Sequence, residues 1–196
     1  MAEQSELFKA APVVVEGLIG GVDNGLNGGI VLLGESTPIK LVMPVVRVRV
    51  KARRGKKGFG FRTYLNEPAI RSFFESYRPA HVFIETVQSR PGQSVIATQT
   101  TSINHGLIRG ILVGLKIDYT PVAARSWQAV MFQGLPKDAD IDSKDKALII
   151  CNRLWPGVEW TATARSIVNH TGLPDAALIA AWGKLRLAAG KITLDK

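Results

Sequence analysis

The sequence predicts an α/β layer protein with a mixed sheet. Two observations carry that prediction. Apolar, β-rich segments and segments of helical period succeed one another in the order hairpin, ribbon, helix, strand, helix, strand, helices. The first two strands are joined by a Gly/Asn turn and pair as a hairpin, whereas the later strands are separated by helices. A hydrophobic share of 46% over 196 residues is enough to bury one sizeable core.

Residues 1–12 read as a polar tail. A strand is expected over Val13–Val22, a turn over Asp23–Gly29, and a returning strand over Ile30–Leu33. Leu41–Val50 reads as one β-branched strand. The stretch KARRGKKGFGF that follows it reads as a protruding loop or ribbon tip, because glycines and like charges dominate. Glu67–Tyr77 carries Ile70, Phe73, Phe74 and Tyr77 at helical spacing, with Pro79 closing the helix. HVFIE (His81–Glu85) is a short, dense strand, and Thr86–Gln93 is a loop. Ser94–Leu115 is a long helix, Asp118–Val122 a strand, and Ala123–Met131 a short helix. Asp142–Leu154 and Pro174–Leu187 are the last two helices. The whole is expected to be a single domain over 13–190, with a basic ribbon at 45–64 and a tail at 191–196.

The formal net charge is +9, which speaks of partners and not of fold. Nucleic acid leads, and an anionic membrane surface trails. Much of the excess sits in one stretch, Arg47, Arg49, Lys51, Arg53, Arg54, Lys56, Lys57 and Arg62, whose direct use is contact with phosphates. Phe59 and Phe61, set among glycines there, suit either stacking at an opened base pair or packing onto the domain. The lone Cys151 excludes an intrachain disulfide and a Cys-rich zinc site, and it reads as a core residue. No run of about eighteen apolar residues exists, so no transmembrane helix is expected. The start carries acidic residues and no basic segment leading into a long apolar core, unlike a secretory signal. A reducing, cytoplasmic setting fits these features.

Two carboxylates stand at strand ends, Asp23 in GVDNGLNGG and Glu85 in HVFIE. A third, Asp175 in LPDAALIAAWG, opens an apolar helix. Carboxylates held at a sheet edge are what a nuclease needs to bind hard divalent cations such as Mg2+. Each also has a plainer reading. Asp23 with Asn24 fits an Asx turn, Glu85 a surface charge, and Asp175 a charge favoured by a helix N-terminus. GVDNGLNGG is not a P-loop, since no GK[ST] follows, nor a dinucleotide fingerprint, since a strand and not a helix comes next. Trp127 and Trp182 read as core or interface residues.

The chain resembles the RuvC-type Holliday junction resolvases, particularly the phage branch related to the plant chloroplast resolvase. The resemblance runs through GVDNGLNGGIVLL, HVFIETVQSRPGQSV, GLIRGIL, VAARSWQ, DSKDKALIICNRLWP and HTGLPDAALIAAWGK, in order. It implies a ribonuclease H-like fold, a homodimer, and magnesium-dependent cutting of four-way junctions by paired nicks. Manganese is the natural substitute. Asp23, Glu85 and Asp175 match the family's first, second and last acidic positions, and Lys144 matches an active-site basic residue. Lys146 reads either as a DNA contact or as the partner of Asp142 on an exposed helix face. Arg90 and Gln93 fall in a loop that the resemblance places near the branch point, where Arg90 suits phosphate and Gln93 base edges. One departure stands out. The family carries a further acid shortly before the last one, and this chain has His170, Thr171 and Gly172 there. His170 is the candidate replacement ligand, though imidazole is a softer choice than carboxylate for magnesium. A flap or fork nuclease and a junction-binding architectural protein with a weakened site are the alternatives.

Overall fold

The computed structural model describes residues 16–51, 58–87, 94–135, 141–163 and 165–190. A five-stranded sheet runs in the order β3-β2-β1-β6-β7, with β1 at Ile19–Asp23, β2 at Gly29–Leu33, β3 at Ile39–Val42, β6 at His81–Glu85 and β7 at Tyr119–Val122. β1, β2 and β3 pair antiparallel, while β1–β6 and β6–β7 pair parallel, so the sheet is mixed as expected. A separate two-stranded ribbon is formed by β4 (Val45–Lys51) and β5 (Phe59–Leu65).

Among the described residues five helices flank the sheet: α1 (Glu67–Tyr77), α2 (Val95–Gly114), α3 (Ala124–Met131), α4 (Ser143–Leu154) and α5 (Gly172–Ala188). Side chains alternate across each strand, and that alternation sorts the helices. Val22, Ile30, Leu32, Val82 and Ile84 point to one face, where Ile70 and Phe74 of α1 and Ile108 and Leu112 of α2 cover them. Ile19, Val31, Leu33, Phe83 and Val122 point to the other, against Ala176, Ala177 and Ala180 of α5, with α3 and α4 beyond. α5 is apolar nearly all round and buried accordingly, which is the pattern of a helix inside a core.

Close approach of α5 to the sheet depends on two glycines. A Cβ on Gly21 would lie 2.1 Å from the Ala176 carbonyl oxygen, and one on Gly183 would lie 2.1 Å from the Phe83 ring. The helix therefore seats directly on β1 and β6, the two strands that end in Asp23 and Glu85.

Two expectations need correction, and one choice between readings is decided. Leu41–Val50 is not one strand: β3 stops at Val42, and Pro44, which has no N–H, separates it from β4. At this break Met43 N–H donates to the Gly28 carbonyl, while the Pro44 carbonyl accepts from Asn66 N–H. Of the loop and ribbon readings of the basic stretch, its GFGF end takes the ribbon, in keeping with the basic ribbon expected at 45–64. Seven pairs from Val45↔Leu65 to Lys51↔Phe59 hold it to β4. The first strand begins at Ile19, since residues 16–18 are not strand, and the expected start at Val13 lies outside the described residues.

Candidate active site

Asp23 and Glu85 are brought together by register. Val22 pairs with Ile84 in the parallel β1–β6 ladder, so the next residues, Asp23 and Glu85, leave neighbouring strands at the same end and on the same face. That face is the one covered by α5. Asp175 lies in the first turn of α5 and is buried, and Lys144 lies in the first turn of α4. The Lys144 ammonium donates to the Asp175 carboxylate at 2.8 Å. Asp142 caps α4 by accepting from the backbone N–H groups of Lys144 and Asp145 at 2.7 and 2.9 Å, which fixes where Lys144 leaves the helix.

The charges here are coupled. Burial raises the Asp175 pKa to about 6; Lys144 opposes that by charge and hydrogen bond, while Asp23 and Asp142 add to it. For Lys144, burial works to lower the pKa, but the charge and hydrogen bond of Asp175, followed by Asp23 and Glu85, raise it overall. One ammonium thus faces three carboxylates, and the cluster keeps an excess of negative charge. Burial, then the charge of Asp175, pushes the Cys151 thiol up, so the only cysteine is an inert core group, as expected.

Asp23 also makes the Asx turn that its sequence allowed: Gly25 N–H donates to its Oδ1 at 3.1 Å. The turn and a ligand role are compatible, since a carboxylate has further lone pairs. Three residues that sequence reasoning passed over hold the strand ends in place. The buried Asn24 side chain donates to the Glu85 carbonyl at 2.9 Å and meets His105 Nδ1 at 3.0 Å. His105 Nδ1 also lies 3.1 Å from that carbonyl, and Asn104 donates to the Asn24 carbonyl at 3.3 Å. The available signal was an Asn-His pair at the middle of α2, where a polar first half gives way to a mostly apolar second half.

His170 sits near the cluster, and its pKa is lowered, first by burial, with Asp23 opposing and Lys144 assisting. Its Nδ1 accepts from Gly172 N–H at 3.2 Å. In the neutral ring Nε2 then carries the proton, so a ligand role requires His170 to exchange that bond. Thr171 is exposed at the N-cap of α5 and makes no side-chain cap bond.

The donor chemistry fits a hard divalent ion, because Asp23, Glu85 and Asp175 offer only carboxylate oxygens. Their spacing is that of a cluster built around Lys144: among the described residues no group of three or more His, Cys, Asp or Glu side chains stands close enough to hold one metal ion. The Asp142–Lys146 ion pair, one of the two readings of Lys146, is not formed: Asp142 caps the helix, and Lys146 makes no ion pair among the described residues. Arg53, Arg54, Lys56, Lys57, Arg90 and Gln93 lie outside the described residues. Trp127 and Trp182 are buried in the core, as expected. No described helix is long and apolar enough to cross a membrane.

No protein-family model matches the chain, and no curated protein matches it in sequence. Solved structures do. T. thermophilus RuvC in complex with Holliday junction substrate superposes with a TM-score of 0.56 at 8% identity, over 89% of this chain and 97% of that one. The fold is RuvC-like. A second T. thermophilus RuvC structure gives 0.50 at 11% identity, over 88% of this chain and 96% of that one. The yeast mitochondrial Holliday junction resolvase Ydc2 gives 0.48 at 12%, over 95% and 86%. The mixed sheet with helices on both faces is thus of the ribonuclease H-like class, as the sequence predicted.

Proposed function

We propose that this chain is a magnesium-dependent, structure-selective endonuclease that resolves four-way DNA junctions by paired, symmetric nicks. The observation that carries the proposal is the in-register pair Asp23 and Glu85 at one end of β1 and β6, faced by the buried Asp175 and its partly exposed partner Lys144. The RuvC-like fold and the net charge of +9 support it. Asp23, Glu85 and Asp175 would hold the metal, which supplies Lewis acidity and a low-pKa water when bound. Lys144 has two tasks. It stabilises the Asp175 carboxylate inside the core, and it offers an ammonium to the charge that develops on the phosphate. Asn24 and His105 orient the Glu85 backbone. Lys146 and the basic ribbon contact DNA phosphates.

Paired nicks require two sites, and a twofold homodimer provides them. α2 supports that assembly. Ile96, Gln99, Ile103, Gly106, Gly110 and Val113 fall on a heptad seam, and every one of them is exposed.

The test is metal-dependent nicking of a synthetic four-way junction beside fork, flap and linear duplex controls. Symmetric nicks confined to the junction in magnesium or manganese are expected. Asp23→Asn should abolish cutting and leave most junction binding. Equal cutting of fork or flap would make the chain a broader branch nuclease. Binding without cutting in either metal would favour the architectural reading, to which the absence of an acid at Thr171 and the Lys144-centred cluster lend weight.

A further inference from the structure

The β4–β5 ribbon has two unlike faces, and its composition is one-sided in charge. Residues paired across an antiparallel ladder share a face. Arg47, Arg49 and Lys51 therefore lie with Thr63, Phe61 and Phe59, while Val46, Val48 and Val50 lie with Tyr64, Arg62 and Gly60. Phe59 and Phe61 are 63% and 61% exposed, so they do not pack onto the domain. Arg49 stacks over Phe59 at 3.7 Å from the ring centre, and Arg47 over Phe61 at 5.1 Å. No acidic residue occurs from Val45 to Leu65.

We propose that this arginine–phenylalanine face binds unpaired nucleotides, taking bases by stacking and their phosphates by charge. Exposed aromatic rings and guanidinium planes need flat, apolar partners, and an intact duplex buries its base faces within its own stack. Unstacked bases offer both faces, and rings and guanidinium planes bind them without regard to sequence. The uniform positive charge fits a phosphate backbone and disfavours a second copy of the same ribbon. The ribbon is also tied to the site. Met43 at its root donates to Gly28, in the turn that follows Asp23, while Phe61 and Phe59 lie four and six pairs further out, so the bases they hold belong to DNA that is open some way along from the scissile strand. That last step rests on the proposed junction activity, but the binding itself does not.

The experiment measures binding in chelator, where cleavage plays no part. Full-length protein is titrated with a fluorescein-labelled oligothymidine and with a duplex of equal length. F59A/F61A should lose single-strand affinity by roughly tenfold or more. Its duplex affinity and the salt slope of both complexes should stay near those of the parent. F59Y/F61Y keeps the rings and should retain single-strand binding. R47Q/R49Q should reduce the single-strand salt slope by about 0.7 for each phosphate that is no longer neutralised. An oligonucleotide carrying 2-aminopurine should change emission with the parent and the tyrosine variant but not with the alanine variant. Equal weakening towards duplex and single strand, no weakening at all, or a change in sedimentation without a change in DNA affinity would each overturn the proposal. Circular dichroism of each variant separates loss of stacking from loss of fold, because the tyrosine variant must then melt with the parent and bind with it.

Discussion

Gly21→Ala tests the seat of α5, and through it the assembly of the site. The added Cβ would stand 2.1 Å from the Ala176 carbonyl oxygen, 2.4 Å from Ala180 N and 3.0 Å from Ala180 Cα. All three are helix backbone, so no rotamer change relieves the clash. The helix must retreat from β1 on the order of 1 Å to reach ordinary contact, and with it Asp175 moves away from Asp23. Overpacking of this kind costs about 1–3 kcal/mol, and the upper half of that range is expected where backbone is the obstacle. For a domain of this size the melting temperature should fall by roughly 4–10 °C. A displacement of about 1 Å at a reacting centre costs on the order of a hundredfold in rate, so nicking should fall more than stability alone explains. Gly20→Ala is the control. Its Cβ would meet the side chains of Val82 and Leu32 at 3.0 and 3.1 Å, which are able to shift, and its loss should be smaller. Calorimetric melting and single-turnover nicking under saturating metal read the two effects separately. A G21A protein that melts and cuts like the parent would refute the claim that this glycine sets the distance between the strand and helix carboxylates.

Three further outcomes are expected. Asp175 holds its proton more tightly in the fold than in the unfolded chain, with a pKa of about 6 against an ordinary 3.8, so stability should fall as pH rises through that window. Asp175→Asn should flatten this dependence in chelator and gain on the order of 1–3 kcal/mol over the parent above the window, as urea titration at several pH values will read. Thr171→Asp restores an acid beside the cluster and should lower the magnesium concentration for half-maximal nicking; superimposable titrations for the parent, T171D and H170A would remove both positions from the metal site. Sedimentation of DNA-free protein should show a dimer at micromolar concentration, and Gly110→Glu, which places a charge on the exposed α2 seam, should yield monomer; a monomeric parent, free and junction-bound, would sink the two-site scheme.

What was legible in the chain was the part governed by local composition. HVFIE and the GIVLL run are too dense in β-branched and apolar residues to be anything but buried strand, and a carboxylate at the end of such a strand announces itself. α1 was legible to the residue, because Ile70, Phe73, Phe74 and Tyr77 recur at helical spacing and Pro79 stops the run. The break at Pro44 was hidden by the Val/Arg alternation that continues past it. For β5 the glycines left loop and ribbon equally open in the sequence, since its strand geometry comes from a partner seven pairs long and not from its own propensity. The Asn24–His105–Glu85 contacts were illegible for another reason: they end on a backbone carbonyl, which carries no sequence identity. Asp142 showed as a charge near Lys146, whereas its real partners are two backbone N–H groups.

The root of the ribbon has a consequence for how such a protein changes over generations. Among the described residues, the backbone bond that ties the ribbon's root to the sheet runs from Met43 to Gly28, while the one from Asn66 to Pro44 closes the ribbon's own ladder at its base. The pairing that sets Asp23 beside Glu85 runs through β1 and β6 and does not involve the ribbon. Insertions, deletions or wholesale replacement between Val45 and Leu65 therefore leave the carboxylates where they are. Substrate preference is free to drift at one end of a hairpin while the chemistry stays fixed at the other, and a transplanted ribbon would carry its preference with it.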